Sequence, residues 1–372
     1  MSKRKKRGKN SSDLTLGGIL VVVLLALVAY FFDFDELNVD DILNPEPVVV
    51  ARAGEDWYEI YFTNPDCGPE EGRRGGLDET VAEDMRTAEL QVDVAAYDLD
   101  AGPIVDALVE LAERGIRVRV VTDSDNATLP SINRLQRAGI GVVEDNRSAL
   151  MHNKFIIIDG RFVWTGSMNL TSNGAYCNNN NFVRFDSPEL AANYRAEMDE
   201  MVNDGGFGPT SSVNTPNEKI SFDGVLVENY FAPEMRLAPL IARSVAGAQS
   251  EILFMAFAFT HEDVGEAIME RAANTVAVRG VFETTGSNTP FSYYPVMQAA
   301  GFEHMQVRQD GNSRLMHHKV IIVDRESVIF GSFNFTASAN DSNDENVVIV
   351  HDPTFASFFV EEFETVWNEA RP

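Results

Sequence analysis

Apolar residues recur along the chain in two spacings, one typical of buried strands and one typical of helices. Short apolar runs of the first kind occur at 57–62, 90–97 and 116–123. Between the second and third of these runs, the spacing of apolar residues predicts a helix over 103–113. Strands that alternate with helices in this way favour a mixed β-sheet covered by helices, so we expect an α/β fold.

The same succession of elements occurs a second time. Its apolar runs and helical pattern lie at 225–231, 250–257, 263–273 and 276–283. We therefore expect two similar halves, at 57–203 and 218–372, related by a pseudo-twofold axis that brings like surfaces together. Residues 204–217, which are rich in Gly, Pro, Ser and Thr, are predicted to link the halves.

The N-terminal region has a pattern of its own. Residues 14–32 are apolar and uncharged, close to the roughly 20 residues that a membrane-spanning helix needs. A basic tail at 1–13 precedes this run, and an acidic stretch at 33–56, predicted to be a spacer, follows it. Basic residues that flank a membrane-spanning helix usually remain on the cytoplasmic side. We therefore expect a single-pass cell-membrane anchor with a cytoplasmic N-terminus and both halves outside the cytoplasm. The alternative is a cleaved signal peptide, whose apolar region usually has about 7–15 residues.

The charged residues of the chain bear on the ligands it can bind, and its two cysteines bear on whether it contains a disulfide. The formal net charge of −27 disfavours loose, charge-driven binding of nucleic acid. Beyond the basic tail, the chain has only the lysines Lys154, Lys219 and Lys319. Cys67 and Cys177 are either bonded to each other or two free thiols, and no metal site is indicated.

Two of those lysines belong to a pattern that occurs once in each half. In the first half it comprises His152, Lys154 and Asp159, followed by Ser167 and Asn169. The second copy has the same residue types at the same spacing: His317, Lys319, Asp324, Ser332 and Asn334. Alternate residues of a strand face the same side, so the histidine and lysine of each copy point together. A hairpin after each strand is expected to return the Gly-Ser-x-Asn loop to their side.

Together the two copies supply the groups that a phosphodiester needs. Two imidazoles, two ammonium groups and several hydroxyl and amide donors suit the oxygens of one phosphate. One imidazole can attack phosphorus while the other protonates the leaving oxygen. A single His-x-Lys pair is more often structural, but two matched copies predict one active site where the halves meet.

The two copies resemble the signature of the phospholipase D superfamily, H-x-K-x(4)-D followed by G-S-x-N, and the resemblance extends over roughly 57–370. It implies a duplicated fold and a phosphohistidine mechanism without a metal or other cofactor. It also implies that the histidines, lysines and aspartates form the catalytic set, and that Ser167, Asn169, Ser332 and Asn334 bind the phosphate. We nevertheless expect Asp159 and Asp324 to support turns rather than carry protons. His318 is out of register with the first copy and is expected to be a bystander.

In this superfamily a position after each motif supports the histidine. The aligned residues are Asn180 in the first half and Glu345 in the second. A carboxylate beside His317 would favour its protonated form, and an amide beside His152 would do so much less. This alignment predicts that His152 is the nucleophile and His317 the general acid.

The resemblance leaves several functions open. The first is a membrane-anchored phosphodiesterase that hydrolyses phospholipid head groups at the bilayer. The alternative is a metal-independent nuclease that cleaves DNA or RNA. A phosphatidyltransferase similar to cardiolipin synthases is less expected, because those enzymes usually carry two N-terminal membrane segments. Two complete motifs disfavour an inactive binding module, and no obligate protein partner is indicated.

Overall fold

The computed structural model of the protein describes residues 50–51 and 57–371. The predicted tail, the predicted membrane anchor and most of the predicted spacer lie outside the described residues. Inside the spacer range, strand β1 (Val50–Ala51) pairs antiparallel with β2 (Tyr58–Phe62). Among the described residues, no helix is both long and apolar enough to cross a membrane.

The first half is built on a mixed sheet of eight strands. The remaining strands of this half are β3 (Gln91–Ala96), β4 (Arg117–Thr122), β5 (Gly141–Glu144), β6 (Lys154–Ile158), β7 (Phe162–Gly166), β8 (Asn178–Asn179) and β9 (Asn181–Asp186). The helices are α1 (Leu77–Arg86), α2 (Gly102–Glu113), α3 (Pro130–Arg137), α4 (Ser172–Tyr176) and α5 (Pro188–Asp199). The strand order is β1-β2-β9-β7-β6-β3-β4-β5, and β3, β4 and β5 are parallel to one another.

The second half repeats this arrangement. Its strands are β10 (Lys219–Phe222), β11 (Val225–Ala232), β12 (Glu251–Ala256), β13 (Ala277–Phe282), β14 (Met305–Gln309), β15 (Leu315–Met316), β16 (Lys319–Val323), β17 (Ser327–Gly331) and β18 (Glu345–His351). Its helices are α6 (Leu237–Ala246), α7 (Glu262–Ala273), α8 (Tyr293–Ala299), α9 (Ala337–Asp341) and α10 (Pro353–Glu369), with a single turn at Thr284–Ser287. The order β10-β11-β18-β17-β16-β12-β13-β14 matches that of the first sheet position by position. The predicted duplicated α/β fold is confirmed.

The apolar interior has a central cluster shared by both halves and an outer cluster in each half. Helices α5 and α10 contribute to the central cluster, with Tyr194, Met198, Phe359 and Phe363 all fully buried. Rings from opposite halves meet there, as between Phe62 and Phe359, whose centroids are 5.1 Å apart. Because this shared core excludes water, the two halves are held together by the hydrophobic effect.

The stretch predicted to link the halves packs against the protein. Phe207 is 4% exposed and belongs to the central cluster. A short 3-10 helix follows at Gly208–Thr210, and the Gly208 N–H donates to the Asp344 carboxylate of the second half. The connection is therefore anchored at its midpoint.

Candidate active site

The two predicted histidines precede equivalent central strands. His152 lies two residues before Lys154, where β6 begins, and His317 lies two residues before Lys319, where β16 begins. Both imidazoles are almost fully buried, with 5% of each residue exposed. The position of each strand therefore determines the positions of both its lysine and the histidine two residues before it.

Backbone hydrogen bonds between the halves hold both histidines. The His152 N–H donates to the Asp344 carbonyl (2.9 Å), and the His317 N–H donates to the Asn179 carbonyl (2.9 Å). Just before His317, β15 pairs in parallel with β8 of the first half. Each motif segment is thus aligned by the opposite half, and the two motifs meet where the halves join.

Each histidine is also bonded by a side chain from the opposite half, so the supporting side chains are exchanged between the halves. His152 Nδ1 lies 2.8 Å from Glu345 Oε2, and His317 Nδ1 lies 3.0 Å from Asn180 Oδ1. Both supporting residues were identified from the sequence, but the expected pairing, Glu345 with His317 and Asn180 with His152, is wrong. Sequence alignment matched each support to its own motif, whereas Asn180, which follows β8, and Glu345, which begins β18, each lie beside the other half's histidine.

The motif serines hold these supports in place. Ser167 Oγ donates to Asn180 Oδ1 (3.0 Å), and Ser332 Oγ donates to Glu345 Oε2 (2.6 Å). Their hydroxyl protons are therefore directed at the supporting side chains, although phosphate binding was expected of them. The motif glycines allow this close approach, since a Cβ on Gly166 would lie 2.4 Å from the Asn181 carbonyl oxygen.

The motif asparagines remain candidates for phosphate binding. Asn169 Oδ1 and Asn334 Oδ1 are buried, and neither has a hydrogen-bond partner within the described part of the chain. Each stands at the end of the Gly-Ser-x-Asn loop that the hairpin returns to the site. These amide oxygens thus accept no hydrogen bond from the described residues, and the N–H groups of the same side chains are the donors that could bind a phosphate.

Each lysine is buried beside its histidine and under an aromatic ring. Lys154 Nζ donates to the His152 carbonyl (2.7 Å), and Lys319 Nζ donates to the His317 carbonyl (2.8 Å). Tyr97 lies 5.2 Å from the His152 ring and 5.4 Å from Lys154 Nζ, measured from its ring centroid. Phe257 occupies the equivalent position in the second half. Neither aromatic residue was predicted to belong to the site, although each is the last residue of a predicted strand, 90–97 or 250–257.

Burial and mutual repulsion keep the cationic forms of these groups unfavourable. Burial lowers the pKa of His152 to about 4, against the opposing effect of the Glu345 carboxylate and with the help of both lysine charges. Burial also lowers the pKa of His317, and Lys319, Lys154 and His152 lower it further. The pKa of Lys154 falls to about 7, mainly through burial. An entering phosphodiester anion would reverse these shifts.

Glu345 is also completely buried, but its charged form is favoured. Burial alone would raise its pKa, but the charge and hydrogen bond of His152 and the charge of Lys154 hold that pKa below its usual value. Glu345 is therefore the carboxylate that keeps the proton of His152 on Nδ1. That leaves Nε2 as the ring nitrogen with a lone pair.

The structure places Asp159 and Asp324 outside the site. Each follows the far end of its strand, at a turn where φ is positive. The Asp159 carboxylate accepts hydrogen bonds from the N–H groups of Glu89, Leu90 and Gln91. Asp324 binds the equivalent segment of the second half. Their membership of the catalytic set is thus wrong, and their expected support of turns is what the contacts describe.

We expect the Asp159→Ala substitution to destabilise the protein without slowing the reaction. Three backbone N–H groups would lose a charged acceptor, and alanine is unfavourable at this positive φ, so the free energy of unfolding should fall by about 2 kcal/mol. Urea unfolding and kcat on one preparation would measure both effects. A large loss of kcat with unchanged stability would return Asp159 to the catalytic set.

His318 lies on the strand face opposite to His317, as expected, but it has a structural role. The ring is fully buried between Asn181 Nδ2 of the first half (2.9 Å) and Glu362 Oε1 of α10 (3.0 Å). In the pseudo-symmetric position, Asn153 bonds to Asn346 and Glu197. These buried polar contacts join the two halves at residues adjacent to His152 and His317 in the sequence.

The two cysteines form a disulfide between Cys67 and Cys177. This decides between the bonded and free states that the sequence left open. Cys177 ends α4 and is followed by β8 and by Asn180, the residue that binds His317. The bridge therefore ties the loop after β2 to the segment that holds the His317 imidazole.

Comparison with known proteins shows the family to which the chain belongs. The sequence profile described as "Cardiolipin synthase, PLD-like domain" matches residues 81–202 and 241–367, one match in each half. A mitochondrial cardiolipin hydrolase of Chlamydomonas reinhardtii is 34% identical over 119 residues, covering 32% of this chain and 53% of that protein. A phospholipase D of Rickettsia conorii is 31% identical over 135 residues, covering 36% of this chain and 66% of that protein.

One solved structure has a similar fold over most of the length of both chains. The phosphatidylserine synthase of Haemophilus influenzae superposes with a TM-score of 0.62 at 15% identity, covering 89% of this chain and 90% of that one. At that identity the likeness concerns the fold alone. With two profile matches that cover more than half of its length, the chain belongs to the phospholipase D-like family. It carries two copies of the family's domain, and it spans about half to two thirds of the curated relatives named above.

Proposed function

We propose that this protein is a phosphodiesterase of the phospholipase D type, which hydrolyses phospholipid head groups through a phosphohistidine intermediate. The observation that carries the proposal is the exchanged support of the two imidazoles. His152 is held by a carboxylate and His317 by an amide, each from the opposite half. Two equivalent rings are thereby given different chemical roles.

In the first step, His152 is the nucleophile. Its Nε2 bonds to phosphorus while the bond from phosphorus to the leaving alcohol breaks, and His317 donates a proton to the leaving oxygen. The ring of His152 becomes positively charged, and the Glu345 carboxylate at Nδ1 stabilises that charge. The nucleophile is the one that the sequence predicted, but for the opposite reason, since the carboxylate stands beside it.

In the second step, water replaces the histidine. His317, now neutral, takes a proton from the water as the water oxygen bonds to phosphorus and the bond to His152 breaks. Lys154 and Lys319 stabilise the negative oxygens of the phosphate throughout, with Asn169 and Asn334 as further donors. The negative charge of the substrate raises the pKa of His317, which supplies the proton needed for the first step.

Three considerations support a lipid substrate. Relatives of the chain are named for hydrolysis of cardiolipin and for phospholipase D activity. The apolar run at 14–32 suits a single-pass anchor, with the catalytic halves outside the cytoplasm and close to a bilayer. The strongly negative net charge opposes a polyanionic substrate.

The proposal is tested with the full chain in mixed detergent–phospholipid micelles that contain a metal chelator. Phosphatidylcholine, phosphatidylglycerol and cardiolipin are compared with single-stranded DNA and RNA, and the His152→Asn variant is the control. Release of head groups that disappears in the variant is the expected result. Cleavage of nucleic acid that disappears in the variant, with lipids left intact, would replace this function by that of a nuclease.

We expect kcat/KM to have a bell-shaped dependence on pH. His152 must be neutral to attack, so activity should fall as the pH drops through about 4. Lys154 must be charged to bind the phosphate, so activity should also fall as the pH rises through about 7. A pH series with bis(p-nitrophenyl) phosphate, whose leaving group needs no proton from His317, measures both limbs. Constant activity between pH 6 and 9 would contradict the role of Lys154.

A further inference from the structure

A polar cavity adjoins the first motif. It has a volume of about 400 Å³ and is lined in part by Asp98, Asp100, Asn169, Asn178, Arg314 and Leu315. That volume is within the roughly 300–1,000 Å³ of pockets that bind small molecules. Both halves contribute to its wall, since Arg314 directly precedes β15 and Leu315 begins it, just before the second motif.

The lining of the cavity includes a motif residue and neighbours of residues that contact the two histidines. Asn169 belongs to the first motif, and Asn178 lies two residues before Asn180, the partner of His317. Asp98 follows Tyr97, whose ring contacts His152, and the negative charge of Asp98 raises the pKa of Lys154 against the effect of burial. A group that leaves phosphorus on this side of the site would therefore enter the cavity.

The second half offers different chemistry at the equivalent place. Strands β3 and β12 end at Ala96 and Ala256, so Asp98 corresponds to Ala258 and Asp100 to Thr260. The cavity there is only about 80 Å³, and it includes the rings of Phe257, Phe259 and Phe282. The carboxylates are thus a feature of one side of the site and not of the duplicated fold.

Two acceptors in the polar cavity have no hydrogen-bond partner among the described residues. Asp98 Oδ1 is buried and accepts no hydrogen bond from the described residues, and the same is true of Asn169 Oδ1 beside it. Asp100 Oδ1 accepts from the Ser172 N–H. The one cation of the lining, Arg314, is exposed. A ligand that brings positively charged donors would satisfy the buried oxygens.

We propose that this cavity binds the leaving alcohol of the substrate, that it selects an alcohol bearing an ammonium group, and that Asp98 is the residue that determines this selectivity. The inference rests on the proposed phosphodiesterase function, because the cavity adjoins that site. Two carboxylates attract an ammonium ion and repel a second phosphate at the same distance. The preferred substrate is therefore a phosphodiester with an aminoalcohol head group, rather than cardiolipin or a polynucleotide.

The catalytic test compares phosphatidylethanolamine with phosphatidylglycerol of the same acyl chains, using the full-length protein in mixed micelles. The wild type should prefer the ethanolamine lipid by about tenfold or more in kcat/KM. The Asp98→Asn variant should lose most of that preference, because its kcat/KM on the ethanolamine lipid should fall much further than its kcat/KM on phosphatidylglycerol. Equal rates on both lipids in the wild type would overturn the proposal, and so would an Asp98→Asn variant that keeps the preference or slows both lipids equally.

The control is the Asp106→Asn variant. Like Asp98→Asn, this substitution removes one negative charge from the first half. Asp106, however, lies on α2 and forms an exposed ion pair with Arg134. Its lipid preference should equal that of the wild type. An equal loss of preference in this control would assign the effect to overall charge and overturn the proposal.

Two further measurements separate this inference from the proposed function. Cleavage of bis(p-nitrophenyl) phosphate, which has no ammonium group, tests the phosphodiesterase activity alone through its loss in His152→Asn. Calorimetric binding of glycerophosphoethanolamine and glycerophosphoglycerol to the His152→Asn protein tests the cavity without catalysis. Tighter binding of the ethanolamine compound, lost when Asp98→Asn is added, supports the cavity assignment. Equal binding of both compounds overturns it even if the diester is cleaved.

Discussion

The His152→Asn substitution is expected to lower kcat by about 10⁴-fold or more, and His317→Asn is expected to trap a phosphorylated enzyme. His152 carries the bond to phosphorus, so no other residue of the site can replace it. The His317→Asn variant still forms this bond when the leaving group needs no proton, as with bis(p-nitrophenyl) phosphate. Its second step fails because no base activates water, so the intermediate should accumulate.

Mass spectrometry at alkaline pH, after rapid quenching, should locate one phosphoryl group on the peptide that contains His152. A burst of about one equivalent of nitrophenol should accompany it. The His152→Asn variant serves as the control and should give neither the burst nor the label. A label on His317 in that control would reverse the two roles.

The Glu345→Gln substitution is expected to lower kcat by roughly 10²- to 10⁴-fold. The amide no longer neutralises the positive charge that His152 gains when it bonds to phosphorus. Ser332 Oγ also loses a charged acceptor. The effect should be on kcat more than on KM, because the charge develops only in the transition state.

The chain offers a matched control in Glu362, which also bonds to a buried histidine near the junction of the halves. The Glu362→Gln variant should lose stability in urea unfolding while keeping kcat within about twofold. If both variants lowered kcat equally, Glu345 would only maintain the junction of the halves. Glu345→Gln would contradict the proposed mechanism if it left kcat unchanged.

The sequence was sufficient to predict the duplicated fold and the residues that meet in the site. Strand and helix patterns predicted β3, α2 and β4 with bounds shifted by about one residue, because apolar residues recur in each at the spacing of a strand or a helix. The motif spacing predicted that histidine and lysine share a strand face. These features are local, so periodicity along the chain reveals them.

The exchange of Glu345 and Asn180 between the halves could not be predicted in this way. Each support lies 13 residues after the serine of its own motif, and nothing local shows that it binds the histidine of the other copy. Helix α1 was not predicted either, although its buried Leu77, Val81 and Met85 repeat at helical spacing. That pattern was a usable signal, whereas the exchanged contacts arise only when the two halves pack together.

The exchanged supports also determine how the two copies could diverge after duplication. A substitution at Asn180 alters the surroundings of His317, and one at Glu345 alters those of His152, so natural selection acts on pairs 137 and 193 residues apart. Neither copy could evolve a specialised imidazole by changing only its own sequence. A single replacement between carboxylate and amide, in the copy opposite to the ring it affects, is enough to distinguish the two histidines.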